Sequence, residues 1–270
     1  MIERCRSAFK GLFFHCLNVI FLLILSAQTA QAVEHPWQKN AFITNSFYEI
    51  ALGSEYGGAA LEVRKWTKPV KIYVEHQVGD KALHDELLDA QISDLRKITG
   101  LKISRVSSKK QANIKYYFTS QKKLPGLVRS TSGKHSVKYL RTAVCLATIR
   151  ANRDGSINSA AVYIPVNQAR MHAKLVSCIV EELTQVLGLP RDSDEVFPSI
   201  FNDHTPNQTL TGLDVILLKI LYSNQIKAGM NKSKLRPILK RVIRSLRNKG
   251  EIKSATTESR NLSLCKYMDC

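Results

Sequence analysis

The segment CIVEELTQVLGL, residues 178 to 189, constrains what this chain can fold into more than any other stretch. Val180, Leu183, Val186 and Leu187 recur at helical spacing and predict one buried stripe, and Gly188 followed by Pro190 predicts where the helix stops. Side chains four residues apart share a helix face, so Glu181 and Gln185 point the same way, with Glu182 beside them. Most Glu-Glu steps in helices are solvated ion-pairing faces. Here the polar pair adjoins the apolar stripe instead of opposing it, so the lining of a cleft stands as the second reading.

The start of the chain reads as an export signal. Arg4, Arg6 and Lys10 precede an apolar run from Leu17 to Leu25, followed by the small-residue site Ala30, Gln31, Ala32, which predicts a signal peptide over residues 1–32 and a periplasmic or secreted protein. An uncleaved anchor is the competing reading. Four of the six cysteines lie beyond that segment, and an even number in an oxidising compartment argues for two bridges. Of the three pairings, Cys145 with Cys178 and Cys265 with Cys270 is favoured. The first would tie a strand to the central helix, and the second would close a small ring at the C-terminus.

Residues 33–66 carry Gly53, Gly57 and Gly58 in a mixed polar segment and read as a loosely structured N-terminal arm that packs on the domain. Regular structure is expected from residue 67 to 225. VKIYVE at 70–75 is an alternating strand, and residues 81–99 repeat Leu83, Leu87, Leu88, Ile92, Leu95 and Ile98 as an amphipathic helix ended by Gly100. Strands follow at 101–106, 113–119, 144–149 and 160–165, the last two joined through the turn at Asn152 to Gly155. Residues 120–138 read as an exposed loop, 168–187 as the central helix, 192–203 as an acidic loop and 211–222 as a further helix. The expected class is α+β, a mixed sheet packed on the central helix.

Beyond residue 225 the chain turns basic. Residues 226–250 are expected to hold a helix in which Leu235, Ile238, Leu239, Val242, Ile243 and Leu246 form one stripe, with Ser233 as its cap and Lys240, Arg241, Arg244 and Arg247 on the remaining surface. Docking of that stripe on the domain is favoured over membrane contact, and residues 251–270 form a cysteine-containing tail. With 40 Lys and Arg against 22 Asp and Glu, the net charge of +18 draws polyanions. An unidentified protein or an anionic envelope component is the expected partner, with peripheral membrane contact as a further class. Specific nucleic-acid binding is not expected, since no reader motif is present.

The spacing at 181–188 resembles the zinc-peptidase motif His-Glu-x-x-His-x-x-Gly, with Glu181 and Gln185 where the histidines belong and Glu182 where the general base belongs. EELTQVLGLPRDSD at 181–194, SIFND at 199–203 and LTGLDVILLKILYS at 210–223, with an Asp near the start of its helix and a Tyr near its end, extend the likeness. Together they resemble a bacterial family of secreted zincin-like proteins of unknown function whose motif is Glu-Glu-x-x-Gln-x-x-Gly-Leu. The resemblance implies a zincin-like fold and peptidase ancestry over residues 67–225; no activity comes with it.

Zinc prefers imidazole, thiolate or carboxylate donors, and Gln185 offers only a neutral amide oxygen. Arg191 stands at the place of a third histidine, where a guanidinium repels a cation. A metal set drawn from Glu181, Gln185, Asp203 and His204, with Asp192 and Asp194 in reserve, suits calcium or magnesium better than zinc. The expectation is therefore no bound cofactor, with a divalent metal as the alternative. A degenerate, non-catalytic binding protein is favoured over an active hydrolase using Glu182 as base. His172 reads as a surface or partly buried histidine and not a ligand, and His76 and His84 have no partner at metal spacing. Gly-x-Ser-x-Gly is absent, and a glycosidase-like pair of Glu182 with Asp194 or Asp203 is a third option.

Overall fold

The structure, a computed structural model, describes residues 34–53, 62–141 and 143–270. The signal peptide expected over residues 1–32, together with Gly57 and Gly58, lies outside the described residues. Residues His35–Cys270 form one compact unit.

A five-stranded mixed sheet organises that unit, in the order β2-β1-β3-β5-β4, with β1 Val70–His76, β2 Ile103–Arg105, β3 Ile114–Thr119, β4 Leu146–Ala151 and β5 Ile157–Pro165. The first four strands in that order are parallel, and β4 runs antiparallel to β5 as an edge. The expected turn makes this hairpin: Asn152 N donates to Ser156 O at 2.9 Å, Asp154 Oδ1 accepts from Ser156 N at 2.9 Å, and Gly155 adopts φ 76°. Because successive side chains alternate, β3 sends Ile114, Tyr116 and Phe118 into the main core and Tyr117 to the opposite face. There a smaller cluster forms with Leu124, Val128, Leu146 and Tyr163.

The main core is closed by helices. α2, Lys81–Thr99, ends at Gly100 with φ 69°, a left-handed cap that glycine adopts without steric cost. It packs against α5, Leu175–Gln185, and α6, Gly212–Leu221. In two places where irregular structure was expected the chain is helical, and the N-terminal segment does pack on the domain as expected. The supposed arm contains helix α1, Asn40–Ala51, whose Ile43, Phe47 and Ile50 are fully buried against α6 and α7, Lys232–Asn248. The supposed loop at 120–138 contains helix α3, Leu124–Ser132, which buries Leu124 and Val128 over the second face of the sheet.

The central helix is also shorter than expected. α4, Val166–Met171, stops at His172, and Ala173 at φ 53° re-aims the chain before α5 begins. His172 is exposed, as expected. The C-terminal tail is no loose appendage: α8, Glu251–Arg260, lies on α6, and α9, Ser263–Met268, is seated where Asp94 accepts from Ser263 N at 2.7 Å and Leu264 N at 2.9 Å. α7 is capped by Asn231, whose Oδ1 accepts from Lys234 N at 3.1 Å; the expected cap, Ser233, lies inside the helix. Its apolar stripe is docked, with Leu235, Leu239, Val242, Ile243 and Leu246 buried.

Both expected disulfides are present, Cys145 with Cys178 and Cys265 with Cys270, at Cα separations of 6.0 and 5.3 Å. The first joins the start of β4 to α5 across 33 residues, and the second spans five. Loop-closure entropy rises with the length closed, so replacing Cys145 and Cys178 with serine should cost about 3–4 kcal/mol in a denaturant titration. The same change at Cys265 and Cys270 should cost distinctly less.

Candidate functional site

The motif helix is held at its C-terminal end by an unusual set of donors. Trp66 Nε1 donates to Val186 O at 2.8 Å and the Tyr222 hydroxyl donates to Leu187 O at 2.6 Å, satisfying carbonyls that a helix end leaves open. Lys65 does the same for the end of α6, donating from Nζ to Leu221 O at 2.6 Å and Ile226 O at 3.0 Å. Burial pushes the Lys65 ammonium down to about 8, and the nearby Lys227 charge adds to that. Gly188 is required where the strap 62–66 crosses: it adopts φ 115°, and a Cβ there would meet Arg64 O at 2.0 Å.

The loop after the helix hangs on Asp214. This fully buried carboxylate accepts from Ser199 Oγ at 2.6 Å, Ile200 N at 3.0 Å and Thr211 N at 2.8 Å, while Thr211 Oγ1 caps α6 by accepting from Asp214 N at 3.3 Å. Burial raises Asp214 to about 6 in spite of these donors.

On this frame the polar side of α5 closes on itself. Gln185 Nε2 donates to Asp192 Oδ1 at 2.8 Å, and Glu181 also hydrogen-bonds Asp192. A hydrogen bond between two carboxyl groups needs a proton on one of them. Burial is the main cause that raises Asp192 to about 7, followed by the charge of Asp203; Gln185, Glu181 and Lys174 act against it. Glu182 is 6% exposed and lies close enough to Tyr116 of β3 that its charge adds to burial in raising that phenol.

The other expected site residues sit outside this contact. Asp203 faces Lys174 at 3.7 Å and His204 faces Asp194 at 3.5 Å, their side chains 63% and 80% exposed. Arg191, at the third-histidine position, turns to Glu49 of α1 at 2.8 Å. Among the described residues, no group of three or more His, Cys, Asp or Glu is arranged to hold a metal ion. With the Gln185 amide nitrogen turned to Asp192 and His204 out in solvent, the donor set Glu181, Gln185, Asp203 and His204 does not fit a transition metal.

Three of the four basic residues singled out on α7, Lys240, Arg241 and Arg244, are exposed and form no ion pair with a described carboxylate. The fourth is a correction. Arg247 folds back onto the start of the domain, donating from Nε to Asn40 Oδ1 at 2.9 Å and from Nη2 to Gln38 O, so it is a docking contact. His76 and His84, for which the sequence offered no partner, come together: His84 is fully buried and stacks on Phe118 at 4.5 Å, with the half-buried His76 parallel to it at 6.0 Å and bonded to Asp85 at 3.0 Å. The signal available was only that one histidine ends a strand and the other opens the next helix.

The carboxyl contact gives stability a pH signature. Between an ordinary carboxylate value near ~4 and the raised values of Asp214 and Asp192, the folded chain holds protons that the unfolded chain releases. Their contribution is therefore present on the acidic side of that window and is lost as pH rises through it. Asp192→Asn keeps an acceptor for Gln185 and cannot ionise, so it should flatten the fall of the melting temperature between about pH 5 and pH 7. A slope identical to that of the parent would reject the assignment.

The chain belongs to the family described as Protein of unknown function (DUF2927), whose model matches residues 40–241. No curated protein and no solved structure matches it.

Proposed function

We propose that this member of the DUF2927 family is an exported, zincin-like domain that has given up peptidase chemistry and binds an anionic component of the cell envelope. The observation that carries the binding role is the posture of α7. Its apolar stripe is buried in the domain, while Lys232, Lys234, Arg236, Lys240, Arg241 and Arg244 remain exposed on a helix that contains no acidic residue. Near an anionic surface each such charge adds about 1 kcal/mol at best, and several on one helix act together.

Several features support the non-catalytic half of the reading. The order from β1 onward, a strand, a helix, further strands with α3 among them, then after α4 a motif helix ended by glycine and a helix opening with a buried Asp, is consistent with the zincin-like resemblance. The residues at the motif's ligand positions are joined to Asp192 by hydrogen bonds, and Arg191 is paired with Glu49. Two disulfides suit an oxidising compartment. No helix among the described residues is long and apolar enough to cross a membrane.

Purified protein should carry no stoichiometric zinc, whereas Glu181→His combined with Gln185→His should acquire it if the scaffold is zincin-like. Zinc in the parent that chelation removes, with peptide cleavage abolished by Glu182→Gln, would establish the hydrolase instead. For the binding role, vesicles containing phosphatidylglycerol should retain the protein in a salt-sensitive way and neutral vesicles should not. Alanine at Lys240, Arg241 and Arg244 together should weaken retention about tenfold or more. Retention unaffected by that triple change would remove α7 from the role.

A further inference from the structure

The second face of the sheet holds a small polar cavity that neither the motif cleft nor the basic helix uses. Its floor follows from strand register. Lys115 of β3 and Thr148 of β4 are both neighbours of Ala161 in β5, and one step along the same face Arg150 of β4 is the partner of Ser159. The short Ala161 side chain thus leaves a hollow between two cations on the flanking strands β3 and β4 and the hydroxyls of Thr148 and Ser159, with β5 between the two cations and neighbouring strands about 4.8 Å apart. Thr131 and Ser132 at the end of α3 complete the wall.

The hollow measures about 120 Å³. Small-molecule pockets run to roughly 300–1,000 Å³, so this one accommodates a compact group and not a nucleotide or a sugar chain. Its walls are chemically uniform. No acidic side chain lines it, and neither Lys115 nor Arg150 forms an ion pair with a described carboxylate. The hydroxyls are already ordered: Ser132 Oγ lies 2.7 Å from both Thr148 Oγ1 and the Tyr163 hydroxyl, which also meets Thr131 Oγ1 at 2.5 Å. The ladder slips between Arg150 and Ala151, an irregularity of the kind that re-aims a side chain.

Two cations that pair with no carboxylate among the described residues, beside hydroxyls that rotate to donate, form a receptor for a compact oxyanion. We infer that the cavity between Lys115, Thr148, Arg150 and Ser132 binds a tetrahedral oxyanion of the phosphate type, either the free ion or the terminal group of a phosphate ester whose remainder stays outside.

The inference does not depend on the proposed function, and one titration separates them. Calorimetry on the full chain at low ionic strength, with inorganic phosphate and with glycerol 3-phosphate, should show saturable binding of one ion per chain. Tighter binding of glycerol 3-phosphate would identify an ester as the source, and equal or tighter binding of inorganic phosphate the free ion. Lys115→Met and Arg150→Met should each weaken binding about tenfold or more, and Thr148→Val by a few-fold, with alanine at Lys240, Arg241 and Arg244 leaving it unchanged. Arg150 is exposed, so its variant carries the test even if Lys115→Met fails to fold by circular dichroism. Absence of saturable binding, affinity indifferent to both cation variants, or loss of binding in the α7 variant would overturn the assignment.

Discussion

The buried carboxylate of Asp214 sets the shape of everything around the motif helix. Two main-chain donors from separate segments, Ile200 and Thr211, converge on one side chain at the start of α6, so the chain leaving Gly188 is returned to that helix and cannot spread into solvent. A buried ion is costly unless its acceptor capacity is used, and here it is used by backbone that otherwise has no ladder or helix to join. The price is a carboxyl group raised to about 6, hence a loop that is held most firmly on the acidic side of neutrality. Asp192 lies on that same returning segment, and its contact with Gln185 exists because the return is fixed.

A second constraint works from the other side. Lys65 and Trp66 lie on a short strap between the ends of α5 and α6, and both satisfy helix carbonyls there while the backbone of Lys65 bridges to Ser156. The strap passes so near Gly188 that no side chain fits, which explains the motif glycine without any catalytic role. The motif glycine, the Asp214 anchor and the tyrosine at the end of α6 all serve packing and hydrogen bonding in this arrangement.

Legibility followed the range of the interactions involved. The helix at 81–99 was readable to its ends because an amphipathic stripe and a left-handed glycine are local signals. The two disulfides followed from number and compartment, and the hairpin from the Asn152 to Gly155 turn. α1 was not legible because the glycines after it suggested a coil, while its burial comes from α6 and α7 more than 150 residues away. α3 opens with Pro125 and Gly126 in a lysine-rich stretch, and only its seat on Tyr117 and Tyr163 makes it a helix. At the site, the spacing identified which side chains share a face. It did not reveal that Gln185 would bond Asp192, since that depends on how far the chain turns after Gly188.

If the motif helix is the zincin-like one proposed, Glu181 and Gln185 in place of histidines pose a packing problem as much as a ligand problem. Imidazoles are large and rigid, and a smaller flexible pair would leave buried polar atoms without partners unless a neighbour moved in. Asp192 fills that need in this chain: it accepts from the Gln185 amide and shares a hydrogen bond with Glu181. On the proposed reading, Asp192 occupies space that a metal-binding pair of histidines would need. If so, restoring histidines alone would meet competition from Asp192 for the same space, and the zinc affinity regained by the double histidine variant should rise further when Asp192 is shortened to alanine.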